Sequence, residues 1–249
     1  FGVGFYSAFM AAEEITIVSK RAGSPETAAR WRSRGEDSYE LSDDPKKEHG
    51  TEITLKLKSS CEEYLEDWKI REIIHKYSDF IEHPIFILSP ENEKASPSKP
   101  ANSMQALWLR KPEEITPDEY KQFYAHISHF DKDPLSHIHF SAEGISNFKS
   151  LIYIPSETPP FFSTPEFRKK DIHLYVKRVF ITESCDELLP DYLRFAKGVV
   201  ESDDLPLNIS RETLQNNPQI QKINRSLARK ILAELAKLLE NDKEKYLSF

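Results

Sequence analysis

The stretch SPENEKASPSKPANS, from Ser89 to Ser103, is the strongest constraint on how this chain can fold. Three prolines among polar and charged residues leave nothing to bury there, so the sequence on either side is expected to build its own core, with the domain boundary between them. A chain of 249 residues has room for this. Folded chains of that size bury roughly 70–75% of the surface they expose when unfolded, enough for one or two substantial cores.

On the N-terminal side, EITIVSK (Glu14 to Lys20) has the β-branched composition of a strand. GTEITLKLK (Gly50 to Lys58) alternates Ile53, Leu55 and Leu57 with polar neighbours, which predicts a half-buried antiparallel sheet. RWRSRGEDSYEL turns around Gly35 and Asp37 and predicts a hairpin, and SDDPKKEHG reads as a loop. Residues Trp68 to Ile81 place Ile70, Ile73, Ile74, Tyr77 and Ile81 three and four apart, one helical stripe that Pro84 limits.

On the C-terminal side, MQALWLR followed by DEYKQFYAHI predicts a strand or turn and then a helix. SLIYIPS and DIHLYVKRVFI alternate as strands do. Ile220, Ile223, Leu227, Ile231, Leu235 and Leu238 recur every three or four residues after Pro218, which predicts a long amphipathic helix with proline in its first turn.

Charge and hydropathy exclude several classes. A net charge of −7, from 34 basic against 41 acidic residues, lacks the footprint of a nucleic-acid binder. No apolar run approaches the roughly 18–20 residues of a membrane-spanning helix, and the first residues lack the order of a signal peptide. Cys61 and Cys185 sit in no metal-binding or disulfide spacing, so neither a metal site nor a disulfide is expected.

Two stretches have the residue types for chemistry. Gly2 and Gly4 in FGVGFYSAF allow close backbone approach to a ligand, and amides at the start of the following helix can hold phosphate oxygens. A tight turn serving geometry alone fits the same residues. No Walker A loop occurs, and the dinucleotide fingerprint is broken because Ser7 stands at its third glycine position. In DDLPLNISRETLQNNP (Asp203 to Pro218), Pro206 and Asn208 turn the chain and Ser210 can cap a short helix that projects Arg211 and Gln215 from one face. A guanidinium offered there matches phosphate oxygens, whereas a surface arginine paired with a carboxylate such as Glu212 is the ordinary alternative.

The words FGVGFYSAF, GTEITLKLK, KYSDFIEHPI, QALWLR, LYVKRVFI and DDLPLNISRETLQNN occur in one order over nearly the whole chain. Together they resemble the heat-shock protein 90 family of ATP-dependent chaperones, most like its bacterial, high-temperature protein G type. The resemblance implies an α+β chain. Residues 1–88 would be the latter part of an N-terminal ATP-binding α/β sandwich of the gyrase, histidine kinase and mismatch-repair class, 89–102 a short linker, and 103–249 the large α/β/α part of a middle domain.

It further implies a role for particular residues. Gly2, Val3, Gly4 and Phe5 match the segment whose backbone amides contact the nucleotide phosphates, and Thr51 matches the threonine that reaches adenine. Arg211 matches the arginine that crosses to the γ-phosphate, and Asn208 and Gln215 match positions of the same catalytic loop. Trp108 resembles an aromatic position implicated in client contact, while its large apolar area equally favours a core. The implied cofactors are ATP and magnesium, and the magnesium asparagine, the water-orienting glutamate and the adenine-pairing aspartate are expected ahead of Phe1.

The implied partners are client proteins, cochaperones and a second copy through a domain beyond Phe249, with no nucleic acid and no membrane span. The implied location is the cytoplasm, or an organellar matrix. This chain alone is expected to be catalytically inactive. A binding module for clients, without catalysis, is the alternative of another class, and a dinucleotide oxidoreductase would need the broken fingerprint to serve.

Overall fold

The structure, a computed structural model, describes residues 4–88, 99–128, 132–144, 147–157, 170–206, 214 and 217–249. The chain forms two compact units, Phe1–Ile73 and Ile74–Phe249.

In the first unit a 3-10 turn (Gly4–Ser7) and a short helix α1 (Ala8–Ala11) lead into four antiparallel strands. These are β1 (Ala12–Lys20), β2 (Ala28–Ser33), β3 (Tyr39–Asp44) and β4 (Gly50–Leu57), ordered β3-β2-β1-β4. Side chains alternate between faces along a strand, and the register sorts them. Ile15, Ile17, Trp31, Leu41, Ile53 and Leu55 share one face, and Glu14, Arg30, Arg32, Glu40 and Lys56 share the other. The sheet forms as the alternation predicts, but its apolar face is unevenly covered: Ile15 is buried, whereas Ile53 and Leu55 are 54% and 41% exposed. The predicted hairpin joins β2 to β3, with Gly35 at φ 77° in its turn.

Helix α2 (Asp67–Tyr77) stops short of the predicted Ile81. Tertiary bonds take over at its end. The Asp79 carboxylate accepts the Ser103 N–H at 2.9 Å, and the Phe80 ring packs edge-on against Trp108 with centroids 4.7 Å apart.

The division between the units falls between Ile73 and Ile74, and residues 89–98 of the proline-rich stretch lie outside the described residues. Its last part is not empty of buried groups: Ala101 and Asn102 are 6% and 4% exposed. The Asn102 amide accepts the Ile85 N–H at 2.8 Å and donates to the carbonyls of Ile81 and His83 at 3.2 and 3.0 Å. One primary amide thus satisfies three backbone groups, which makes its burial favourable despite its polarity.

The second unit holds β5 (Pro134–Ala142), β6 (Phe148–Pro155), β7 (Ile172–Val176), β8 (Val179–Thr182) and β9 (Lys197–Glu201) in the order β5-β6-β9-β7-β8. The β7–β9 pair is parallel and the others antiparallel. Helix α3 (Pro117–Ser128) and the segment around Trp108 cover one face through Leu151, Tyr153 and Val199. Helix α4 (Pro218–Asn241), followed by α5 (Lys243–Ser248), covers the other, with Ile220, Ile223, Leu227 and Ile231 packed on Ile152, Leu174 and Val200. This is the expected α/β/α layering, and α4 starts as predicted, with Pro218 in its first turn and Asn217 as its cap.

DIHLYVKRVFI forms sheet strands, as its alternation predicts. It folds into a hairpin, β7 to β8, whose two turn residues Lys177 and Arg178 have φ of 50° and 62°. That geometry favours Asn-Gly, so Lys-Arg gives no turn signal in the sequence.

Helix α3 opens on a capping box. The Thr116 N–H donates to Glu119 Oε2 at 2.8 Å, and the Glu119 N–H donates to Thr116 Oγ1 at 3.3 Å. The Thr116 amide, with Arg110 beside it, holds the Glu119 carboxyl at a pKa of about 2. An unfolded glutamate titrates near 4.3, so this contribution is complete above about pH 4.3 and is lost as pH falls toward 2. Glu119→Gln should therefore flatten stability against pH between about 4.3 and 2, measured by urea unfolding, while a wild-type slope would separate this carboxylate from acid unfolding.

Candidate functional site

The glycine segment enters the first unit through Gly4 and Phe5, and Gly2 and Val3 lie outside the described residues. Phe5 packs edge-on against Trp31 and Phe9, with centroids 5.5 and 6.2 Å apart. The helix behind the glycines, α1, has only four residues. A dipole so short adds little, so any hold on phosphate oxygens falls to the backbone amides themselves.

Thr51 is the second residue of β4. Its hydroxyl lies 2.8 Å from that of Ser19, its partner on β1. Thr51 and Ile53 share a face, and Ile53 lies across β1 from Trp31, the residue Phe5 packs against. The fold therefore places Trp31, against which Phe5 packs, and Thr51 on one face of the sheet, two residues apart in register and on the two strands that flank β1.

Asn208, Arg211 and Gln215 lie outside the described residues, as does Ser210. The ends of their loop are described. Leu205 and Leu214 are both buried in the core beneath α4, and Asn217 Oδ1 accepts the Gln219 N–H at 2.8 Å. Leu205 and Leu214, on either side of residues 207–213 in sequence, thus share one core.

The approach to that loop is pinned more firmly still. Glu201, the last residue of β9, is 5% exposed. Its Oε2 accepts the indole N–H of Trp108 at 2.6 Å, and its Oε1 accepts the backbone N–H of Arg178 at 2.8 Å. The next residues are tied in turn: Ser202 Oγ donates to the Asn147 carbonyl at 2.9 Å, and the Asn147 N–H donates to Asp204 Oδ2 at 2.7 Å. A cleft of about 1090 Å³ opens beside them, lined by Lys149, Arg178, Glu201, Asp203 and Asp204 among others.

Trp108 itself is 1% exposed. Its ring lies among Phe80, Phe123 and Tyr175, so of the two readings of this residue the core is the one the fold realises, and the ring offers no surface to a client. Sequence reasoning passed over Glu201 and Arg178 altogether. Neither falls in a motif, and their pairing across 23 residues arises only from the sheet.

Among the described residues, no group of three or more His, Cys, Asp or Glu side chains is placed to hold a metal ion. The Cys185 thiol is buried and pushed up to about 12, chiefly by desolvation, which leaves it unreactive. No described helix is long and apolar enough to cross a membrane.

A family model described as Hsp90 protein matches residues 91–249. The chain belongs to the Hsp90 family. Curated Hsp90 relatives extend the likeness over the whole chain. The chain is similar to the protein named Chaperone protein HtpG of Geobacter sulfurreducens, at 47% identity, covering all of this chain and 41% of that protein. Proteins of the same name from Legionella pneumophila and Yersinia pestis are 46% and 44% identical, again over all of this chain and 40% of theirs. The chain spans about two fifths of the length of the curated Hsp90 relatives it matches.

Proposed function

We propose that this chain contributes to an ATP-dependent chaperone, in which a nucleotide held by the first unit is hydrolysed with help from an arginine of the second. The observation that carries this is the shared sheet face of Thr51 and Trp31, the ring Phe5 packs against, in a chain of the Hsp90 family. The backbone amides of Gly2, Val3, Gly4 and Phe5 would bind the phosphates, and glycine at positions 2 and 4 leaves the backbone open to approach. The Thr51 hydroxyl, shared with Ser19 on an open face, is suited to the polar edge of a purine.

ATP would supply the terminal phosphate, and magnesium, when bound, would neutralise charge on it. Among the described residues no group of three or more His, Cys, Asp or Glu side chains is placed to hold that ion. Arg211, charged at any physiological pH, would stabilise the charge developing on the terminal phosphate oxygens, with Asn208 and Gln215 shaping its loop. Clients, cochaperones and a second copy of the protein are the proposed partners, in the bacterial cytoplasm. A purely binding module, offering the surface around Trp108 and the amphipathic elements to clients, is the alternative, and the buried Trp108 ring would not be its contact.

In the full-length protein, Arg211→Ala is expected to lower ATP turnover on the order of a hundredfold, as loss of one preorganised charge donor does, while nucleotide affinity stays within about twofold. Steady-state hydrolysis and calorimetric titration with ATP read the two quantities separately. Unchanged turnover would sink the assignment of Arg211, and absence of saturable heat would sink the nucleotide site.

A further inference from the structure

We propose that the pocket between the end of α2 and α3 is a socket for an arginine side chain of a partner polypeptide, with the Asp79 carboxylate as its counter-charge. The pocket, of about 280 Å³, is lined by residues of the second unit alone. Ligand clefts usually run to roughly 300–1,000 Å³, so this one suits a single side chain rather than a nucleotide. Phe80, Leu107 and Phe123 give it an apolar wall, while Gln105 and Gln122, also in its lining, are exposed.

Asp79, which lines the same pocket, is 4% exposed. Its Oδ1 accepts the Ser103 N–H at 2.9 Å and lies 3.1 Å from His75 Nδ1. Its Oδ2 faces His126 Nε2 at 3.6 Å, beyond hydrogen-bond reach of that ring. Among the described residues, no lysine or arginine pairs with it. The other carboxylate in the lining, Glu119, already has a cation, Arg110 at 2.6 Å. Histidine carries charge only in part near neutral pH, so Asp79 is a buried carboxylate without a permanent counter-ion.

Asparagine at this position would accept the Ser103 N–H equally well, with no charge to bury. The fold therefore explains an acceptor at 79 but not a carboxylate. A guest cation explains the charge. A guanidinium donating to Oδ2 would pair it, and the flat, weakly hydrated face of that group packs on aromatic rings such as Phe80 and Phe123 better than a compact ammonium does.

The test titrates N-acetyl-argininamide into the full-length protein and follows the methyl resonances of Leu107 in the pocket wall. Saturable shifts are expected, with a Kd on the order of 1 mM for one paired side chain. N-acetyl-citrullinamide, which has nearly the same shape and no charge, should bind roughly tenfold more weakly, and N-acetyl-lysinamide roughly threefold. Asp79→Asn keeps the acceptor for Ser103 and should weaken argininamide roughly tenfold. Gln122→Arg, a good helix former at an exposed position of α3, should fill the socket with the chain's own guanidinium and cost roughly as much; it serves should Asp79→Asn fail to fold. Free L-arginine should bind no more tightly than the capped probe. Absence of saturable shifts, equal affinity for the citrulline probe, or wild-type affinity in either folded variant would overturn the proposal. Equal affinity for lysinamide would overturn the choice of a guanidinium, and tighter binding of free L-arginine would overturn the polypeptide as its source.

Discussion

Alanine at position 198 is expected to destabilise the second unit by roughly 3–5 kcal/mol, the sum of backbone strain and a steric clash. Gly198 lies in β9, the central strand of its sheet, at φ 152°, a conformation that residues with a side chain rarely adopt. A Cβ there would sit 2.2 Å from the Leu151 carbonyl oxygen and 2.9 Å from the Ile152 Cα, both backbone atoms of β6 that cannot swing aside. Gly144 provides the control. It too has positive φ, 126°, but nothing lies within 4 Å of its would-be Cβ, so Gly144→Ala should lose only roughly 1–3 kcal/mol. Urea unfolding followed by circular dichroism measures both, and equal losses would show that close strand approach is not what position 198 requires.

Trp108→Ala is expected to cost roughly 3–5 kcal/mol, as truncation of a buried large aromatic does. The ring is packed on Phe80, Tyr175 and Phe123 with centroids 4.7, 5.0 and 5.8 Å away, and its removal would open a cavity. It would also leave one oxygen of the buried Glu201 carboxylate without its donor, a penalty beyond the lost packing. The same unfolding measurement decides between the two readings of this residue. A surface residue used for client contact would change stability by no more than about 0.5 kcal/mol.

What could be read from the sequence was what depends on local period. The alternation of Ile53, Leu55 and Leu57 gave β4, and the spacing of Ile220, Ile223, Leu227 and Ile231 gave the buried stripe of α4. What could not be read depends on partners far away in sequence. Asn102 looks like linker until the turn at 81–85 supplies three backbone partners, and this draws residues 99–103 into the second unit. Lys177 and Arg178 look like the middle of a strand until Glu201 holds the turn between them and β9.

The candidate site was legible mainly by family resemblance. Spacing alone favoured a tight turn at Gly2 and Gly4, and nothing local distinguishes Arg211 from a surface arginine beside Glu212. The structure adds what local patterns could not: a common face for Thr51 and Trp31, the ring Phe5 packs against, and one core shared by Leu205 and Leu214, on either side of Arg211 in sequence.

Solving the structure of the full-length protein trapped with a non-hydrolysable ATP analogue tests the catalytic role of Arg211 most directly. A guanidinium nitrogen of Arg211 should lie roughly 2.7–2.9 Å from an oxygen of the terminal phosphate, the distance of a charge-assisted hydrogen bond. A guanidinium held farther than about 6 Å from every such oxygen, beyond the range of strong charge pairing, would contradict it.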